Sequence, residues 1–227
     1  MLFFLIFIIG INTVSFAKFE ITDFTIYANL DENGDLYIHE IIDYYSDEND
    51  NGVTRNIITK NPINKTNSAD YLELYDVIVD GIYYEQTDLG VIGQEGVFEY
   101  SGYENNYDIK VYTPFNSNSK TVEYCYTLKN VGVVYNDIAE IYWNFIGDAW
   151  DCNINNLEIN ITLPPVAANY TSYVFGHGSD NGSFEKEGNY IILYAKDIKA
   201  NQPIDDRILF EKSAISSSTK IVNKSVL

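Results

Sequence analysis

Residues 26–45 read Ile26-Tyr27-Ala28-Asn29-Leu30-Asp31-Glu32-Asn33-Gly34-Asp35-Leu36-Tyr37-Ile38-His39-Glu40-Ile41-Ile42-Asp43-Tyr44-Tyr45. In the first arm Ile26, Ala28 and Leu30 alternate with Tyr27 and Asn29. In the second, Leu36, Ile38, Glu40, Ile42 and Tyr44 alternate with Tyr37, His39, Ile41 and Tyr45. A period of two puts each set on its own face of a strand. Asn33-Gly34 between the arms is the strongest short-range hairpin signal, since both central residues of such a turn take positive φ. The stretch predicts two antiparallel strands with one buried face.

The same period recurs outward in both directions. Ile21 and Phe24 lengthen the first arm, and Val77 to Tyr84 suggests a second hairpin around Asp80-Gly81. Further runs cover 96–100, 107–112, 122–128, 156–163, 172–175, 190–194 and 207–210. Pro164-Pro165 closes one of them, because proline cannot donate to a ladder. Short strands at fairly regular spacing, with no long amphipathic helix between them, predict an all-β fold: an antiparallel β-sandwich, immunoglobulin-like or jelly-roll-like. A short helical turn is expected near 137–143.

Composition agrees. Of 227 residues 46% are hydrophobic and 15% aromatic, with 20 Tyr and 12 Phe against one Met, which excludes disorder for most of the chain and favours strands. Lys+Arg 14 against Asp+Glu 33 gives a net charge of −19. Nucleic acid is excluded as a partner, since phosphate binding needs clustered cations.

The N-terminus is apolar from Leu2 to Ile11 and leads to Ser15-Phe16-Ala17 before the first charge at Lys18. This reads as a signal peptide over 1–17, although no Lys or Arg precedes the apolar run. A β-sandwich domain over 18–211 and a Ser- and Lys-containing tail over 212–227, disordered or a truncated linker, complete the expected organisation. Export places Cys125 and Cys152 where a disulfide can form, and both a bridge and two free thiols stay open, because alternation puts Cys125 on the polar side of its strand.

Little points to catalysis. Asp47-x-Asn49-x-Asn51-Gly52 opens like a calcium loop, but Arg55 and Ile58 stand at the ninth and twelfth positions, so an acidic turn is the better reading and no metal or cofactor is expected. His39 lies opposite the apolar set, and His177 sits in the Gly-rich run 176–182, without nucleophile or phosphate-loop spacing. Tyr135 to Asp151 is densest in acids and indoles; a glycosidase would use such a pair of carboxylates, and a sandwich corner would use them equally for structure.

Several segments together resemble the N-terminal extracytoplasmic domain of the domain of unknown function 2207 family of predicted membrane proteins. They are Ile26 to Glu40, Asn51-Gly52-Val53-Thr54-Arg55-Asn56-Ile57, and Asp137-Ile138-Ala139-Glu140-Ile141-Tyr142-Trp143-Asn144-Phe145-Ile146-Gly147 with Trp150. The last leads into Ile154, Leu157 to Ile161 and Leu163-Pro164; Tyr190 to Ala195 and Arg207-Ile208-Leu209-Phe210 close the likeness. The order of elements is kept from Phe19 to Phe210. The resemblance implies an exported β domain, usually anchored by later transmembrane helices, with no established activity, cofactor or catalytic residues. The matched positions are Arg55, Asp137, Glu140, Trp143 and Trp150. A membrane tether is expected only if the native chain continues beyond Leu227, where the Lys residues of the tail would suit a juxtamembrane position.

The chain is accordingly expected to be a non-enzymatic, extracytoplasmic domain, secreted or on the outer face of the cytoplasmic membrane. It would act as a sensor, scaffold or protein-interaction module with an envelope protein or a cell-wall polysaccharide as partner. The alternative is a carbohydrate-binding module with an aromatic platform. Arg55 is expected to pair with a carboxylate such as Asp137 or Glu140 and fix a long loop against the sandwich.

Overall fold

The computed structural model describes residues 19–62 and 64–227; the expected signal peptide, 1–17, lies outside the described residues. Among the described residues the chain runs β1 (Phe19–Leu30), β2 (Leu36–Ser46), β3 (Gly52–Ile58), β4 (Leu72–Val79), β5 (Ile82–Tyr83), β6 (Glu85–Gln86), β7 (Val97–Tyr103), β8 (Asn106–Tyr112) and β9 (Ser119–Leu128). It continues with β10 (Val133–Tyr135), β11 (Ala139–Ile146), β12 (Asn153–Thr162), β13 (Tyr173–His177), β14 (Ser183–Glu187), β15 (Tyr190–Ile198), β16 (Ile204–Phe210) and β17 (Ile221–Val222). Short 3₁₀ turns lie at Lys65–Asn67, Pro165–Asn169 and Lys212–Ile215. No helix among the described residues is long and apolar enough to cross a membrane.

Three open sheets result. One has eight strands in the order β14-β15-β12-β1-β2-β9-β4-β5, one has five in the order β13-β16-β11-β10-β17, and one has four in the order β3-β8-β7-β6. Inward residues of all three join one core, so the fold is all-β and sandwich-like. The quoted stretch shows why: Ile26, Ala28, Leu36, Ile38, Ile42 and Tyr44 are buried, while Tyr27 and Tyr37 on the alternate face are exposed. Each buried aliphatic or aromatic side chain contributes about 1.5–3 kcal/mol. The sheets are mixed rather than purely antiparallel, because β1 pairs with β12 in parallel, as do β6 with β7 and β10 with β17. The hairpin fills only one edge of β1, and a distant strand fills the other.

The two hairpins differ in their turns. At Asp80-Gly81 both residues take positive φ, 50° and 78°, as a two-residue loop requires. Between β1 and β2 only Gly34 does, at 82°. That loop is wider, and the Asp31 carboxylate closes it by accepting from the backbone N–H of Asn33 and of Asp35, both at 2.9 Å.

Other expectations need correction. The helical turn near 137–143 is instead the start of β11, an interior strand between β10 and β16. Both of its faces are buried, so its apolar residues follow no period of two and imitate a helical turn. Cys125 and Cys152 are both free. Cys152 packs within the core, whereas Cys125 lies beside Tyr37 and Asp76 on the opposite face of the eight-stranded sheet, so no bridge can join them.

The tail after Glu211 is ordered. Ala214 and Ile215 are buried, Ser218 Oγ donates to the Gly132 carbonyl at 2.9 Å, and β17 pairs with β10. Val226 and Leu227 donate their backbone N–H groups to the Asp137 carboxylate. Of the three apolar pairs in 212–227, Ala214-Ile215 is the buried one that docks the segment.

Candidate functional site

The inward row of β2 carries one carboxylate, Glu40, between Ile38 and Ile42, and it is 1% exposed. A charge buried there requires a charged, well-oriented partner. Arg55 of β3, 5% exposed, supplies it. Its Nε donates to Glu40 Oε2 at 2.7 Å and its Nη2 to Glu40 Oε1 at 2.6 Å. The third guanidinium nitrogen, Nη1, donates to the Asn56 carbonyl at 2.7 Å. Tyr126 of β9 donates its hydroxyl to Glu40 Oε1 at 2.7 Å.

This network perturbs its members. Burial alone would lower the Arg55 guanidinium, but the Glu40 charge and hydrogen bonds outweigh it and hold Arg55 more firmly protonated than usual. Burial, then the Glu40 charge, pushes the Tyr126 phenol well above its ordinary range. The network is therefore a fixed ionic floor.

Above that floor the Trp150 ring sits 5.1 Å from the Arg55 guanidinium carbon, a cation–π contact. Trp150 also meets Phe24 edge-on at 5.8 Å. Together with Trp143, Phe145, Ile57 and Pro62 it walls a cleft of about 380 Å³. Lys60, Asp148 and Asp205 bring charge to the same cleft. The Asn61 amide reaches from the segment after β3 to the Tyr142 carbonyl at 2.5 Å and ties that segment to β11.

A second ionic pair lies on the far face of β11. Glu140, fully buried, accepts from Arg207 Nε at 2.6 Å, with Arg207 Nη2 at 2.5 Å. Tyr135 donates its hydroxyl to Glu140 Oε1 at 3.3 Å, and the Asn64 amide donates to it at 3.4 Å. Beside this pair Asp205 Oδ2 lies 3.0 Å from His177 Nδ1. Burial and then the Asp205 charge push Tyr142 up to about 12.

Of the residues singled out from sequence, the structure brings Arg55, Trp143 and Trp150 to one cleft. Glu140 and Asp137 do not join it, and neither pairs with Arg55. Glu140 points from β11 toward Arg207, and Asp137 holds the C-terminal backbone, which together with its exposure to Lys212 keeps its carboxyl below the usual range. Sequence reading missed Glu40 and Tyr126 as site residues. The signal for Glu40 was present, a carboxylate on the apolar row of a clean alternation. For Asp205 it was a pair of acids heading the closing strand Ile204-Asp205-Asp206-Arg207-Ile208.

The family model described as "Predicted membrane protein (DUF2207) N-terminal domain" matches residues 20–210. No curated protein matches the chain. Among solved structures, leukotriene A4 hydrolase from Saccharomyces cerevisiae is similar at 10% identity with a TM-score of 0.50, covering 83% of this chain and 29% of that one. Its complex with bestatin gives 9% identity and a TM-score of 0.52, covering 83% and 28%. The M1 zinc metallopeptidase from Deinococcus radiodurans gives 5% identity and a TM-score of 0.44, covering 83% and 42%. The chain thus spans less than half the length of these proteins, and its likeness to the yeast hydrolase is one of fold alone.

Proposed function

The chain belongs to the DUF2207 family of predicted membrane proteins, and from that premise we propose that it is an extracytoplasmic, non-enzymatic interaction module of the cell envelope. It serves as a sensor or scaffold whose recognition site is the Arg55–Trp150 cleft. One observation carries this reading: every guanidinium nitrogen of Arg55 is committed to Glu40 or to Asn56, so the cleft offers a rigid indole-walled pocket on an ionic floor. Rigid aromatic walls with charge at the rim are the usual make-up of an anchoring pocket for a partner's apolar side chain. The test is site-specific photocrosslinking in the native host from Lys60, with Glu185 on β14 as a remote control. A discrete adduct from position 60, absent from position 185 and lost on Trp150→Ala, is expected. Equal crosslinking from both positions would overturn the reading.

A second reading, binding of cell-wall polysaccharide, has its own support. Trp143 does not supply the platform that reading needs, since it is 4% exposed. Tyrosines on the outer face of the eight-stranded sheet do: Tyr37 and Tyr75, 41% and 52% exposed, stack at 6.3 Å with 26° between their planes. Nearby Tyr27 lies 6.1 Å from His39. Pull-down on purified cell wall should retain the protein and release the Tyr37→Ala/Tyr75→Ala variant. Retention of both would place the contact elsewhere.

A further inference from the structure

Adjacent residues of a strand face opposite ways, so Asp205 and Asp206 serve different sides of β16. Asp205 pairs with His177 beside the Glu140–Arg207 pair and borders the first cleft, whereas Asp206 lines a second cavity of about 210 Å³. The walls of that cavity are largely apolar: Leu157 and Ile159 of β12, Phe184 of β14, Leu193 and Ala195 of β15, and Ile204. Asp206 is 2% exposed, and its Oδ2 has no hydrogen-bond partner. Its Oδ1 lies against Gly176 of β13, where an added Cβ would stand only 3.0 Å away. The other titratable groups around it are His177 of β13, Tyr194 of β15 and Asp205 of its own strand; β12 and β14 present apolar side chains and Ser183. No lysine or arginine lines the cavity.

A buried carboxyl oxygen without a partner is costly, and stays so unless something in the cavity satisfies it. We propose that this cavity binds a small molecule with an ammonium head and an apolar body, the ammonium donating to Asp206 and the body filling the space between β12, β14 and β15. The environment selects that chemistry. The neighbouring Asp205 charge opposes an anionic ligand, and the apolar walls leave a strongly hydrated metal ion without further ligands. Free amines and the N-terminal ammonium of a peptide share the recognised group.

The empty site holds a proton. Burial, and then the Asp205 charge, push the Asp206 carboxyl up to about 8. Binding an ammonium ionises it: the carboxyl O–H bond breaks, the proton leaves to solvent, and a carboxylate–ammonium pair remains. Close to one proton is therefore released per ligand at neutral pH, which a purely apolar association does not do.

The test is calorimetric titration of the protein with n-butylammonium chloride and with the tripeptide Leu-Gly-Gly, in two buffers of different ionisation enthalpy. n-Butanol and N-acetylated Leu-Gly-Gly are the uncharged controls. Binding of an ammonium probe with proton release, weakened about tenfold or more by Asp206→Asn and for the uncharged control, supports the site. Tripeptide binding alone assigns it to peptide N-termini, and butylammonium binding alone to small amines. If Asp206→Asn fails to fold, Gly176→Val, which fills the space beside Oδ1, should abolish binding instead. Equal affinity for butanol, an unchanged affinity in these variants, or no binding of either ammonium probe would overturn the proposal.

Discussion

Arg55 of β3 and Glu40 of β2 face one another through paired hydrogen bonds of 2.7 and 2.6 Å, and this contact couples the four-stranded sheet to the centre of the eight-stranded one. Each partner makes the burial of the other tolerable. Glu40→Leu or Arg55→Met alone strands a buried charge and should destabilise by about 3–5 kcal/mol. Glu40→Leu combined with Arg55→Met removes both charges and should recover most of that loss. Urea unfolding of the four proteins checks it; strictly additive losses would show that the two side chains act independently.

Asp206 makes stability fall with rising pH. Its folded carboxyl sits at about 8 against an ordinary 3.8, so the folded state binds the extra proton between those values. Since the unfolded chain holds fewer protons in that window, stability declines from about pH 4 to pH 8 and levels off above it. The isosteric Asp206→Asn should lack this slope, and its advantage over the natural residue should grow to a few kcal/mol by pH 8. Chemical unfolding at several pH values reads the difference, and parallel profiles would contradict it.

The cysteines should behave as buried thiols. Burial raises both, and Cys152 reaches about 11. Because the thiolate is the reactive form, a disulfide-exchange reagent at pH 8 should label Cys152 very slowly in the folded protein and both cysteines rapidly in denaturant. Intact mass should be the same with and without reductant; a loss of two hydrogens in the oxidised sample would show a bridge.

The C-terminal segment should be part of the stable unit. Ile215→Ala removes a fully buried side chain and should cost about 2–5 kcal/mol. Lys220, whose ammonium donates to the Ser68 and Asn130 carbonyls, should resist trypsin under native conditions. Rapid cleavage there would mean that the docking is transient.

The long strands of the large sheet were legible because one of their faces is wet and the other dry. β11 escaped because both of its faces are buried, and β14 because Ser183 to Glu187 is exposed throughout, so neither shows alternation. The tail escaped because its three apolar pairs, scattered among serines and lysines, give no periodic signal, although Ala214-Ile215 is fully buried. Arg55, Trp143 and Trp150 could be singled out as candidates and the structure gathers them at one cleft, but the identity of the Arg55 partner was not legible. Glu40, Asp137 and Glu140 are equivalent as charges, and only the packing of β3 across β2 selects among them.

The parallel pairing of β1 with β12 has a consequence for the order of assembly. The first strand is flanked on one side by its immediate successor, yet its other flank stays open until Asn153 to Thr162 arrives. A chain made from its N-terminus thus cannot give β1 its second neighbour until residue 162 is free, and cannot complete its largest sheet until β15 follows. Closing so long a loop is slow, and an apolar strand waits meanwhile with an open edge. The open edge of β1 is therefore closed late, by a strand more than a hundred residues away, a timing written into the topology.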